Sequence, residues 1–193
     1  MNRRNDGFTL IELLVVLAII AIMLGIAAPS FVSFISNYRA TTAINDVLQG
    51  IALTRSEALK RGRRVTLAPI TGDWHNGWTV FVDAAGSGSH NQSYDPGEEL
   101  IFQHDPLPAS IVVGQPTAAA MPFADPVSGH SFVAFDGTGY ARSANGSAVP
   151  LGGYGITISD SLSALTQVRT LCMQAAGRPH IVKDTVANAC ANG

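Results

Sequence analysis

A single carboxylate stands inside an apolar segment near the N-terminus of this 193-residue chain. Glu12 lies within the stretch FTLIELLVVLAIIAIMLGIAA, and no side chain from Leu13 to Ala28 is more polar than glycine. A carboxylate deep in a bilayer costs about 2 to 3 kcal/mol, and in low-dielectric surroundings it is tolerable only when a cation pairs with it. The residue type and its position therefore predict ion pairing as the chemistry of Glu12.

The other groups with chemical potential form no catalytic or metal pattern. No serine lies in a nucleophile elbow and no glycine loop matches a phosphate cradle. The five histidines lack zinc-type spacing: His75, His90, His104, His130 and His180. Four acids flank a glycine-serine loop and offer oxygen ligands for calcium, but they match no EF-hand loop and are interpreted as turn acids: Asp83, Asp95, Glu98 and Glu99. We therefore predict a protein that is not an enzyme and holds no cofactor.

The net charge of −2 argues against a protein that binds nucleic acid over its whole surface, because such surfaces are strongly positive. One local basic group lies where a helix is predicted to end and is interpreted as offsetting the helix dipole: Arg55, Lys60, Arg61, Arg63 and Arg64. The only two cysteines are Cys172 and Cys190. They predict one disulfide if the chain is exported and two thiols if it is cytosolic.

The N-terminal segment decides the compartment. With Phe8 to Ile11 added, the apolar stretch reaches the roughly 20 residues of a spanning helix. Arg3 and Arg4 precede it and hold the N-terminus in the cytoplasm, so the rest of the chain is predicted to be exported. A cleaved signal peptide with a site at Gly25-Ile26-Ala27, or a plain anchor, is the alternative. Neither gives Glu12 a role.

The elements that position these residues predict an α+β fold, a long N-terminal helix packed on an antiparallel β-sheet head. One helix is expected from Phe8 to Arg61, with Gly62 as its stop and a bend or locally melted stretch at Pro29. Its apolar stripe should pack on the protein's own sheet: Ile44, Val47, Leu48, Ile51, Ala58 and Leu59. Eight short runs predict strands: RVTLAP, WTVFVD, ELIFQH, SIVVG, SFVAFD, YGITISD, VRTLCM and RPHIVK.

Two smaller expectations concern the head. Trp74 and Trp78 are expected to fill the interface between the helix and the sheet. Gly137 and Gly139 are expected in a tight turn.

The stretch GFTLIELLVVLAIIAIMLGIAAPSF resembles the N-terminus of type IV pilins and type II secretion pseudopilins. The resemblance implies that a prepilin peptidase cuts after Gly7, that the new N-terminus at Phe8 is methylated, and that Glu12 and Pro29 are the acid and proline used in assembly. The implied division is a leader at 1–7, a membrane-spanning or filament-core helix at 8–29, an amphipathic helix at 30–61 and a head at 62–193.

This resemblance implies a partner for Glu12. Cleavage creates an ammonium on Phe8, and in a filament the carboxylate would meet the amine of a neighbouring subunit as well as the positive helix end. The implied partners are other pilins or pseudopilins and the peptidase. The implied location is the inner membrane, single-pass, with the head in the periplasm, followed by an extracellular pilus or a periplasmic pseudopilus.

The head resembles the group of pseudopilin H and the FimT and FimU minor pilins. The matching pieces, in order, are ALTRSEALKRGRRVTL, WHNGWTVFVD, DPGEELI, FDGTGYAR and LCMQAAGRPHIV. The group implies a subunit used in few copies that primes assembly or sits at the tip. A type II secretion pseudopilin H is one alternative, since both systems share the same N-terminal pattern.

A DNA-binding minor pilin of natural transformation is the other alternative. FimT-like proteins carry a C-terminal stretch of glycine, arginine, proline and a further basic residue, and Gly177, Arg178 and Pro179 match its beginning. Ile181 stands where a second arginine is expected, with His180 and Lys183 beside it. A glycine-arginine pair also forms the turn between the last two strands in group members not known for DNA.

Mass spectrometry of the mature N-terminus should find methylated Phe8, because cleavage after Gly7 leaves the amine of that residue at the chain end. An intact Met1, or a start at Ala28, would contradict the processing that the resemblance implies.

Overall fold

The computed structural model describes residues 8–83, 90–114, 123–125, 130–147, 149, 154–163, 167–174, 176–183 and 190. Within these residues one α-helix precedes all the strands. The elements are α1 (Leu10–Arg61), β1 (Val65–Pro69), β2 (Trp78–Val82), β3 (Glu99–His104), β4 (Ile111–Gly114), β5 (Val133–Phe135), β6 (Gly155–Asp160), β7 (Arg169–Met173) and β8 (Pro179–Val182). Two short 3-10 turns, Ile70–Gly72 and Trp74–Asn76, join β1 to β2.

The predicted α+β fold is confirmed, and each of the eight predicted runs contains one strand. The strands form two sheets, with the orders β3-β2-β1-β5 and β4-β6-β7-β8, and all paired strands are antiparallel. The division into two sheets did not follow from the sequence, because strand order depends on contacts between distant segments. Both sheets pack against α1, which contacts β1, β2 and β5 of the first and β4, β6 and β7 of the second.

The helix begins two residues later than predicted, at Leu10 rather than Phe8. Thr9 is the reason, because it is the N-cap and its side-chain oxygen accepts the backbone N–H of Glu12 at 3.3 Å. The helix ends as predicted at Gly62, whose φ of 61° lies in the left-handed region that glycine adopts easily.

The second half of α1 supplies one side of the core. Its buried apolar side chains recur at helical spacing: Ala40, Ala43, Ile44, Val47, Ile51 and Ala58. Leu48 packs against the same cluster. The prediction was wrong for Leu59, which is 52% exposed because it lies at the last turn, beside the loop at Gly139 rather than under a sheet.

The two tryptophans are buried as expected, with different neighbours. A Cβ at Gly50 of α1 would lie 3.0 Å from Nε1 of Trp78, so Trp78 fills the interface between helix and sheet. Trp74 donates its ring N–H to the hydroxyl of Ser131 at 2.7 Å and lies against Phe123, with ring centroids 5.3 Å apart. It therefore joins a loop to the core rather than the helix to the sheet.

A tight turn after β5 closes over the end of α1, as expected from its glycines. A Cβ at Gly137 would overlap the backbone of Gly62, so the turn approaches the helix end at backbone distance. Asp136 holds the turn by accepting the backbone N–H of Thr138 at 2.9 Å and the guanidinium N–H of Arg142 at 2.6 Å. Burial opposes ionisation of Asp136, but these hydrogen bonds outweigh it and lower its pKa to about 2.

The predicted disulfide is present between Cys172 and Cys190, with Cα atoms 5.3 Å apart. Both cysteines are buried. A Cβ at Gly155 would lie 3.1 Å from Sγ of Cys190, so the glycine of β6 leaves room for the bridge. The disulfide ties the C-terminal segment to the second sheet.

Reduction should lower the melting temperature of the soluble head (residues 30–193). Closing a loop with a separation of 18 residues stabilises by about 3 kcal/mol in the loop-entropy account, which corresponds to a loss of roughly 6 to 12 °C. Calorimetry with and without reductant measures the shift. A variant with both cysteines changed to alanine is the control and should not respond to reductant. An unchanged melting temperature in the parent would show that the bridge is not structural.

Candidate functional site

The first half of α1 is a bare apolar surface. Its large side chains are exposed from Leu10 to Leu24, and Phe31, Val32 and Phe34 continue the exposure. A window of this helix has a mean hydropathy of 3.0, and the helix is long and apolar enough to cross a membrane. This surface packs against no other part of the described chain, and large exposed apolar surfaces are typical of sites that lipid or other chains cover.

Glu12 lies in the first turn of this bare surface. Its backbone N–H is bonded to Thr9, but its carboxylate forms no ion pair with any residue that the structure describes. The spacing Thr9-x-x-Glu12 is that of a capping box, a signal that our sequence analysis missed. The predicted cleavage site at Gly7 lies outside the described residues, whereas Phe8 is described and exposed.

Pro29 does not interrupt the helix, which runs without a break from Leu10 to Arg61. The locally melted stretch that we considered is therefore not observed in the single chain. A bend at Pro29 stays a prediction, as does its role in assembly.

Hydrogen bonds join the head to the helix at Asn37 and Thr41. The side-chain oxygen of Asn37 accepts the backbone N–H of Gln167 at 3.1 Å. One turn later, the hydroxyl of Thr41 accepts Nε–H of Arg169 at 2.8 Å. These polar contacts join α1 to the segment that leads into β7. These contacts could not be predicted from the sequence, because Asn37 and Thr41 match no motif.

The basic residues at the helix end have structural partners. Arg61 pairs with Glu57 at 2.7 Å and with Glu99 at 2.6 Å, and its hydrogen bond with Glu99 contributes most to raising its pKa. Arg64 is buried, with Nε 3.6 Å from Asp83. Burial lowers the pKa of Arg64, and the charge of Asp83 opposes that change. Arg61 and Arg64 therefore stabilise the fold, whereas Arg63 of the same group is exposed.

The four acids considered for calcium also have protein partners. Asp83 accepts the hydroxyl of Thr66 at 2.9 Å and lies beside Arg64, and Glu99 pairs with Arg61. Asp95 and Glu98 are joined within one turn, the Asp95 N–H donating to the Glu98 carboxylate at 3.0 Å. Across the described part of the chain, no three histidine, cysteine or acidic side chains are grouped as metal ligands.

The histidines have separate surroundings. The ring of His104 stacks on Trp78 with centroids 3.9 Å apart. Nδ1 of His90 lies 2.8 Å from the carbonyl oxygen of Asp83. The structure does not bring these two rings or His75 into one site.

The sequence-predicted DNA residues lie on the turn between β7 and β8, on β8 and just after it. Gly177 has a φ of 73°, and the turn closes where the N–H of Gln174 donates to the carbonyl of Arg178 at 3.1 Å. The side chains of Arg178 on the turn and of Lys183 after β8 are exposed. His180 is half-buried, and its Nδ1 is enclosed without a hydrogen-bond partner among the described residues. Arg178 and Lys183 are therefore the two side chains of this set that are exposed to solvent.

Residues 43–177 match the family described as type II transport protein GspH. The chain belongs to this family. Residues 2–28 match the prokaryotic N-terminal methylation motif, which covers the predicted cleavage site, Phe8 and Glu12. Two independent segments thus support the pilin-like resemblance noted in the sequence.

One curated protein and one solved structure are similar to this chain. The chain is 35% identical over 104 residues to the pilin-like protein PilA1 of Thermus thermophilus, and the alignment covers 54% of this chain and 61% of that relative. The crystal structure of the type IV minor pilin FimU of Pseudomonas aeruginosa superposes with a TM-score of 0.51 at 17% identity, covering 82% of this chain and 98% of FimU. At this identity the likeness to FimU shows the fold alone.

Proposed function

We propose that this GspH-family protein is a structural subunit of a type IV pilus or a related filament, stored in the inner membrane with its head in the periplasm before assembly. Prepilin peptidase removes residues 1–7, and the amine of Phe8 is methylated. The protein acts as a minor pilin that primes assembly or occupies the tip, and it performs no catalysis itself.

One observation carries this proposal: an exposed apolar helix bears a carboxylate that has no partner in the described chain. A membrane anchor requires the apolar surface but gains nothing from the acid. A filament uses both, because parallel helices from other subunits cover the apolar side chains and bring an N-terminal ammonium close to Glu12. The methylation motif and the pilin-like relatives support the same interpretation.

Glu12→Ala and the isosteric Glu12→Gln should both insert and be processed normally but enter filaments about tenfold less efficiently, since a charge-assisted hydrogen bond contributes about 1.5 to 3 kcal/mol and 1.4 kcal/mol is a factor of ten. The measurement is the ratio of subunit in sheared filaments to subunit in the membrane. Glu12→Asp, which keeps the charge, should recover part of the loss. Normal incorporation of the glutamine variant would contradict the pairing of Glu12 with an amine.

The filament to which the subunit belongs can be tested by its companions. In a pilus it should co-purify with pilins from sheared surface filaments. If it serves a secretion machine as a pseudopilin H, it should co-purify with companion pseudopilins from the periplasm and should be absent from the cell surface.

DNA capture is the second candidate function, favoured by the exposure of Arg178 on the turn before β8 and of Lys183 after β8. Duplex DNA binding by the soluble head, measured by fluorescence anisotropy over a salt series, should weaken with salt and be lost in Arg178→Ala. Arg63→Ala, which removes another exposed cation at the helix end, is the matched control and should bind normally. No binding by the parent at low salt would exclude this function, and equal loss in both variants would reduce it to a nonspecific charge effect.

A further inference from the structure

The length of the uncharged part of α1 determines how far the head lies from the hydrocarbon core of the membrane. No charged residue occurs between Leu13 and Tyr38, a run about 39 Å long as a helix. The hydrocarbon core of a bilayer is about 30 Å thick. With Glu12 at one boundary of the hydrocarbon, the other boundary therefore falls near Val32. Asn37, where the head takes hold, is then about 8 Å further along the helix, within the headgroup layer.

Aromatic side chains mark the same level. Phe31, Phe34 and Tyr38 follow one another at spacings of three and four, so they share one helix face. All three are exposed. Tyrosine is enriched at membrane–water interfaces because its apolar ring and its polar hydroxyl suit both layers. The position of Tyr38 therefore agrees with a bilayer boundary just below the head.

One end of the second sheet lies at this level, and we call it the membrane-proximal rim (residues 108–111, 160–163 and 167–169). Gln167 and Arg169 contact α1 at Asn37 and Thr41. β6 runs antiparallel to β7, with Ile158 opposite Arg169, so β6 descends toward the membrane and the residues after Asp160 lie at or below the level of Asn37. The pairing of Ile111 with Asp160 brings the start of β4 to the same place.

The chemistry of the rim suits a lipid interface. Among the described residues of the rim, 161–163, 167 and 168 contain no charge, and neither do residues 108–111 at the start of β4. Leu162 is 58% exposed at the hairpin, and Pro108 and Ala109 are exposed beside β4. An uncharged tip with a protruding leucine is disfavoured in water and favoured at the boundary between headgroups and acyl chains.

The two charged residues of the rim are directed toward the protein. Asp160 is buried and accepts the hydroxyl of Ser110 at 3.1 Å and the backbone N–H of Leu162 at 2.8 Å, and Arg169 donates to Thr41 of α1 at 2.8 Å. Arg39, the first charge of α1 after Glu12, is exposed about 10 Å beyond the hydrocarbon boundary, from where its long side chain reaches the headgroups. A cation there is attracted to lipid phosphates.

We propose that the membrane-proximal rim is a second membrane contact of this subunit, in which Leu162 enters the headgroup–acyl boundary of the leaflet that faces the head while Arg39 meets lipid phosphate. The inference rests on the proposed membrane storage of the chain. The contact fixes the head against the bilayer at a point away from the helix axis, so that the stored subunit has a defined tilt and rotation.

Tryptophan quenching in the full-length chain tests the contact. Leu162→Trp, Phe34→Trp and Tyr140→Trp each place a tryptophan at an exposed position, and the two native tryptophans are buried and supply a constant background. The proteins are reconstituted into vesicles of phosphatidylcholine and phosphatidylglycerol whose acyl chains carry bromine close to the glycerol. Phe34→Trp reports the anchor, and Tyr140→Trp is the matched control, because it lies in the turn that covers the far end of α1.

Emission of the added tryptophan should be quenched in the Leu162 and Phe34 variants and unchanged in the Tyr140 variant. Quenching at Phe34 without quenching at Leu162 would overturn the rim contact and leave the anchor intact. No quenching at Phe34 would contradict membrane storage itself, and with it the rim contact. Quenching at all three positions would show that the head lies on its side or aggregates, which also overturns the assignment to the rim.

Discussion

The charge of Glu12 on an otherwise apolar helix limits the environments in which this subunit is stable. Each exposed leucine or isoleucine of α1 gains about 1.5 to 3 kcal/mol when it leaves water, and there are many of them. The single carboxylate costs about 2 to 3 kcal/mol in a bilayer core. The apolar side chains therefore decide that the helix avoids water, and the charge decides only between apolar environments. An array of like helices with terminal amines satisfies both requirements, and a bilayer satisfies only one.

The head is packed so closely on this helix that the position of the helix determines the position of the whole subunit. Both sheets pack on the second half of α1. The approach of the turn at Gly137 to Gly62 is too close to admit a side chain, and Trp78 lies in tight contact at Gly50. Because close-packed interiors have little slack, the head is held to α1 from Asn37 to the helix end. The orientation of the exposed apolar half of the helix therefore determines the orientation of the head.

Much of this could be predicted from the sequence, for identifiable reasons. The strands were found because short apolar runs between glycine, proline and asparagine are a local signal. The helix end was found because glycine enters the left-handed conformation of a helix C-terminus more easily than other residues do. The two-sheet arrangement, the Asn37 and Thr41 contacts and the buried pair of Arg64 and Asp83 were not found. They depend on residues far apart in sequence, and nothing near them distinguishes them from surface polar residues. Glu12 stood out because its surroundings make an acid unexpected, whereas a partner in another chain leaves no trace in this one.

The relative size of the two membrane contacts determines what each one does. Leu162 alone contributes about 1.5 to 3 kcal/mol when it leaves water, whereas the spanning segment contributes many times that amount. The rim therefore orients the head and does not anchor it, so a filament that extracts the helix loses little by also freeing the rim. The extracted subunit then carries two apolar surfaces that must be covered together, the helix and the rim at its side. A neighbouring subunit that covers both is favoured over one that covers the helix alone, and the proposed rim contact would thereby add rotational selectivity to the register that we propose for Glu12.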